Sequence, residues 1–179
     1  MRRRLALARG AIVLALAVSA AAWVVPAAAA TSEAEVKAAY LYKLASFVRW
    51  PGEVSGPFRI CVAGRGDVAG VLSQLVRGQQ VAGRPIAVEQ LNSAQADRAK
   101  ACQVLFLGRG TAAATSMFAA TRGLPVLTVG DRNDGTRGGV IDFMMRDGRV
   151  RLAIDRGAAE DRHLELSSKL LDVAVTVAP

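Results

Sequence analysis

Little in this sequence points to chemistry. Its 179 residues include one histidine, His163, and two cysteines, Cys61 and Cys102. Three soft ligands spread along the chain make a poor zinc site, so no metal is expected. No Gly-x-Ser-x-Gly elbow is present, which removes the common route to a serine triad. Ser167 and Ser168 read as helix-start residues, and the Glu160-Asp161 pair as a solvated helix face. No catalytic constellation emerges, and neither enzymatic activity nor a cofactor is expected. Two cysteines also exclude a disulfide-dense miniprotein. Blocks of like charge are absent, which argues against a nucleic-acid patch. What the chain does have is apolar content, 52% against 21% charged, and that excludes intrinsic disorder.

The first thirty residues stand apart. Arg2, Arg3, Arg4 and Arg9 form a basic head, Ala11 to Val25 carry no charge, and Pro26 leads into Ala27 to Ala30. This is the pattern of a cleaved secretory signal peptide, with processing expected after Ala30. The apolar run falls short of the roughly 20 residues that span a bilayer. Four of the 23 basic residues, all Arg, lie in that leader, leaving 19 against 15 acids in residues 31–179. An exported single domain without membrane insertion is the expected product.

The remainder alternates between helix and strand signals. Ser32 and Glu35 make a capping box, and Leu41, Leu44, Ala45 and Val48 share a helical face that ends at Trp50-Pro51. Four apolar runs follow, at 58–63, 85–91, 102–107 and 124–129, with helical stretches between them at 67–77, 93–100 and 111–121. The runs are nearly continuous in apolar residues, as in strands buried on both faces of a parallel sheet. Asp147-Gly148 separates two further strands, 140–145 and 150–154, and signals a tight hairpin. Asp155 caps a short helix near 156–162, and Ser167 a closing one. The expected fold is α/β: a single three-layer domain with a mostly parallel central sheet, a C-terminal β-hairpin and a closing helix.

Three features are candidates for function. Cys61 and Cys102 fall on strands one and three, which are neighbours in the common doubly wound order. An exported chain with an even cysteine count fits a disulfide; the alternative is two buried thiols packing as small hydrophobes. Gly64, Gly66 and Ala69 follow a strand and open a helix, in the spacing of a dinucleotide fingerprint, with Glu89 near the ribose position. An exported chain is a poor home for such a cofactor, so the turn serves at most a small-ligand or anion site. The polar loop 130–139 has a calcium-loop flavour but misplaces its glycine and holds two arginines, so a flexible turn is expected.

Several blocks resemble one family. Leu41 to Pro51, Phe58 to Gly64, Val126 to Asp131 with Gly138 to Phe143, and Leu166 to Ala174 are similar, in order, to the signatures of the YfiR family. The resemblance implies a periplasmic repressor that binds the periplasmic portion of an inner-membrane diguanylate cyclase. It thereby links envelope or redox state to cyclic-di-GMP and biofilm formation. It further implies a homodimer, a family disulfide pair at Cys61 and Cys102, and partner contact through Glu160, Leu164 and Leu166. Two departures stand out: Asp142 lies where Asn is common, and a second cysteine pair found in some members is missing. A periplasmic small-ligand binder using the turn at Gly64 is the alternative.

Overall fold

The computed structural model describes residues 32–52, 55–64, 67–109 and 114–179. The leader expected at 1–30 lies outside the described residues, as does Gly66.

The order of elements begins with helix α1 (Glu33–Phe47), capped as expected. Ser32 Oγ accepts from the Glu35 amide, and Glu35 Oε2 accepts from the Ser32 amide. Short strand β1 (Val48–Arg49) follows, then β2 (Phe58–Ala63), helix α2 (Val68–Leu75), β3 (Gln80–Val81) and β4 (Arg84–Leu91). A 3-10 helix (Ser93–Ala101) leads to β5 (Val104–Leu107), helix α3 (Ala114–Ala120) and β6 (Leu127–Asp131). The C-terminal third contains β7 (Ile141–Arg146), β8 (Arg149–Asp155), helix α4 (Arg156–Glu160), β9 (Glu165–Leu166), helix α5 (Ser168–Asp172) and β10 (Thr176–Ala178).

Eight strands form the main sheet in the order β10-β8-β7-β6-β5-β2-β4-β3. All neighbours are parallel except β7 with β8 and β3 with β4. Strands one and three of the sequence reading are therefore adjacent, Ile60 facing Val104. The hairpin turn at Asp147-Gly148 has positive φ at both residues, 52° and 68°, as a primed turn requires.

Side-chain alternation divides the core between the two faces. Ile60, Val62, Val104 and Phe106 point toward α1 and α2, with Leu41, Leu44, Leu72 and Phe143. Cys61, Ala63, Leu105 and Leu107 point the other way, beneath the 3-10 helix and Met117 of α3. Burial on both faces is why the runs read as continuously apolar.

Some boundaries moved. The helical face expected to include Val48 stops at Phe47, because Val48 and Arg49 are drawn out to pair with Leu166 and Glu165. A β-branched residue two before the residue preceding proline has little to lose by leaving the helix. Strand three was expected from Cys102 but starts at Val104, since Cys102 still ends the 3-10 helix, its amide donating to Ala99 O at 3.2 Å. Strand four runs Leu127–Asp131 rather than 124–129, after a turn held by Leu124 N to Thr121 O. The helices expected at 93–100 and 156–162 are a 3-10 segment and a shorter helix, and the one expected at 111–121 is helical over Ala114–Ala120 among its described residues. Strands of two or three residues, β1, β3, β9 and β10, were not anticipated.

Candidate partner-docking groove

The residues that end α1 build one wall of an open groove of about 800 Å³. Ala45, Ser46 and Phe47 come from the last turn, Val48 and Arg49 from β1, and Glu165, Leu166 and Ser167 from and beyond β9. Ser167 N donates to Phe47 O at 3.0 Å, which staples the helix end to the C-terminal region. Arg49 Nη1 lies 3.1 Å from Glu165 Oε2, with both side chains mostly exposed. The pair aligns the two short strands and contributes little energy in that solvated position.

The floor is aromatic. Trp50 meets Phe58 edge-on, with centroids 5.0 Å apart, and its indole Nε1 donates to Gln103 O at 3.3 Å. Arg84 lies over the Phe58 ring, 5.5 Å from its centroid. Its Nε and Nη2 donate to the Gly56 and Pro57 carbonyls, each at 2.8 Å, and among the described residues it has no carboxylate partner. Gln80, Val81 and Ala82 complete the opposite wall.

At the C-terminal edge of the sheet a different cluster forms. Lys37, 5% exposed, sits among the carboxylates of Glu33 (2.5 Å), Asp131 and Asp134 (3.7 Å). Asp134 is also held by Arg109 Nε at 2.9 Å. Burial alone would lower the Lys37 pKa, but bonds to Asp131 and Glu33 outweigh it and hold it above its ordinary value. Asp131, fully buried, is pushed up by desolvation in spite of Lys37. Asp134 is also raised by burial, but Arg109 and Lys37 prevail and hold it below the ordinary carboxylate value.

This cluster explains the calcium-loop flavour of residues 130–139. Two of its acids enclose a lysine ammonium, an internal cation where a metal loop would hold an ion. Among the described residues no group of His, Cys, Asp or Glu could hold a metal. Nor is the loop a loose turn. Asp142, 3% exposed, accepts from Gly138 N, Gly139 N and Arg132 Nε, and Thr136 N donates to Asp131 O at 2.8 Å. A Cβ on Gly139 would lie 2.7 Å from Ile141 O and 2.8 Å from Gly130 N, so only glycine fits there. Helical periodicity marks only the apolar positions of α1 and says nothing of Lys37; the available signal was the pair of acids, Asp131 and Asp134, in the polar loop.

The sequence candidates scatter. Cys61 and Cys102 form a disulfide with Cα atoms 5.9 Å apart, buried on the sheet face away from the groove. Gly64 has φ +124°, and a Cβ on it would lie 2.9 Å from Gly108 C, so the backbone that follows β5 runs directly against Gly64. Ala69 is 8% exposed and faces the core. Glu89 is engaged by Arg98 at 2.5 Å and Arg59 at 3.7 Å. Leu166 lines the groove, Leu164 is 4% exposed in the core, and Glu160 is exposed on α4, 3.6 Å from Arg156.

A family model described as YfiR/HmsC-like matches residues 34–175, from the first turn of α1 to the approach of β10. The chain belongs to the YfiR/HmsC-like family. The resemblance read from four sequence blocks thus holds across the domain. The first and last of those blocks, 41–51 and 166–174, meet along the β1–β9 ladder and flank the groove. A conserved domain protein from Vibrio cholerae O1 biovar El Tor strain N16961 has a similar fold, with TM-score 0.50 and 14% identity. The match covers 82% of this chain and 60% of that one. No curated protein matches the chain. Among the described residues of this YfiR/HmsC-like protein, no helix is long and apolar enough to cross a membrane.

Proposed function

We propose that this YfiR/HmsC-like protein is a periplasmic, non-catalytic regulator of cyclic-di-GMP signalling. It binds the periplasmic region of an inner-membrane diguanylate cyclase and holds it inactive. The observation that carries this reading is the family match over residues 34–175. The basic, apolar, small-residue leader supports export. A regulator of this kind acts by binding one state of its partner more tightly than another, and for that it needs a surface rather than a catalytic set.

In this reading Leu166 and Glu160 lie on the contact surface, and Leu164 supports them from the core. The protein acts as a homodimer. The Cys61–Cys102 bridge stiffens the sheet behind the contact face, coupling oxidation state to repression. Deleting the gene should raise cyclic-di-GMP and surface attachment, and restoring it in trans should lower both. Unchanged cyclic-di-GMP in the deletion strain, with the cyclase genes intact, would remove the proposal.

A further inference from the structure

The two walls of the groove end in strand edges that, among the described residues, pair with nothing on their outer side. β1 pairs only with β9, and β3 is the last strand of the main sheet. The β3–β4 register fixes which backbone groups face outward. Ile86 N donates to Gln79 O, so residues 79 and 86 form a hydrogen-bonded pair, and the next pair, Gln80 with Pro85, is of the other kind. Gln80 therefore turns its N–H and C=O away from β4, on the edge that lines the groove, and no described residue takes them. Pro85 opposite has no N–H to offer, which agrees with that register.

Between the edges lies an apolar floor whose accessible groups are Phe47, Trp50 and Leu166, with Phe58 buried beneath Trp50, and it suits apolar side chains at alternate positions of an extended chain. The charged groups on the rim are Arg49, Arg84 and Glu165. Among the described residues Glu165 neutralises Arg49 and Arg84 bonds only carbonyls, so the described rim carries one positive charge in excess.

We propose that the groove takes an extended segment of a partner protein. The segment adds a strand along β3, with apolar residues on Trp50 and Leu166 and an acidic residue at Arg84, on a rim whose net charge Arg49 helps to set. The occupant's identity as a partner's segment rests on the regulator reading; the slot itself rests on edge, floor and charge. Main-chain bonds to the Gln80 groups supply affinity, and the alternating side chains supply selectivity.

Trp50 reports on the site directly, since Trp23, the other tryptophan, lies in the expected leader. The probe is an acetylated hexapeptide alternating valine and glutamate, titrated against the protein as purified from the envelope, with Trp50 fluorescence as readout. Saturable quenching is expected. A peptide N-methylated at alternate residues should not bind, and a valine–lysine peptide should bind more weakly. Arg49→Glu, on a side chain that is 81% exposed, should cut affinity for the acidic peptide by about tenfold and improve the lysine version. Lack of binding, equal binding of the N-methylated peptide, or affinities indifferent to Arg49→Glu would each overturn the slot. Peptide binding by a protein whose deletion leaves cyclic-di-GMP unchanged would support the slot and sink the cyclase reading.

Discussion

Lys37 is buried where a lysine side chain is rarely found. A lysine at 5% exposure has lost most of its hydration, and only the carboxylates around it make that tolerable. Removing it leaves the Asp131 carboxylate buried without a countercharge, held only by the Asn133 amide at 3.2 Å. Lys37→Met should therefore lower stability by about 3 kcal/mol, read as a shifted urea midpoint. Adding Asp131→Leu should recover part of the loss, because the orphaned carboxylate goes with it. The pH dependence follows from the same group. Its folded pKa is raised above the ordinary 10.5, so its contribution is complete below that value and declines as pH rises through the folded pKa. The difference in melting temperature between wild type and Lys37→Met should shrink above about pH 10.5. A constant difference up to the most alkaline pH tested would show that the lysine acts through packing alone. At acid pH Asp134, held below 3.8, adds a second component that is lost as pH falls through its folded pKa. Gly139 gives a steric test at the same scale. Gly139→Ala places a methyl against backbone atoms that cannot swing aside, and should cost about 2 kcal/mol.

At the scale of elements, the disulfide decides how the sheet is held. It closes a loop of 41 residues that contains α2, β3, β4 and the 3-10 helix. On the chain-entropy model that constraint contributes about 4 kcal/mol. Replacing both cysteines by alanine should lower the melting temperature by about 10 °C for a domain of this size, as seen by calorimetry. With Cys61 at 0% and Cys102 at 2% exposure, reductant should act slowly on folded protein and quickly in denaturant. Elements defined by strong local chemistry were legible in the sequence. β2 was read as 58–63, the capping box as Ser32 and Glu35, and the hairpin turn as Asp147-Gly148, each fixed by neighbouring residues. β1, β9 and β10 were not, because strands of two or three residues carry no periodicity and exist only by pairing with distant chain. Val48 shows the conflict plainly: its spacing is helical, and its partner Leu166 pulls it into a strand.

For the molecule as a whole, layer order and strand adjacency followed from alternation, and the family followed from four short blocks. The groove did not, since its walls come from residues 45–52, 80–84 and 165–167, which nothing in local sequence brings together. Lys37 was hidden for a related reason: a charged residue on a helix reads as solvent-facing until the loop that covers it is known. Localisation belongs at this scale as well. Fractionation should place the protein in the periplasm with its first thirty residues removed. Unreduced protein from that fraction should show no free thiol. Size exclusion with light scattering should return a dimer, and a monomer at micromolar concentration would contradict the proposed assembly.

The Cys61–Cys102 bond also turns the middle of the chain into a lasso. Pulled from its two ends, an oxidised molecule can pay out every segment except those inside the ring, so its stretched length should fall short of the reduced form by about 140 Å. By the same topology, a protease that nicks the exposed turn at Gly78 should leave one species on a non-reducing gel and two on a reducing one. The wall of the groove formed by β3 hangs within that ring, tethered at both ends after its own backbone has been cut.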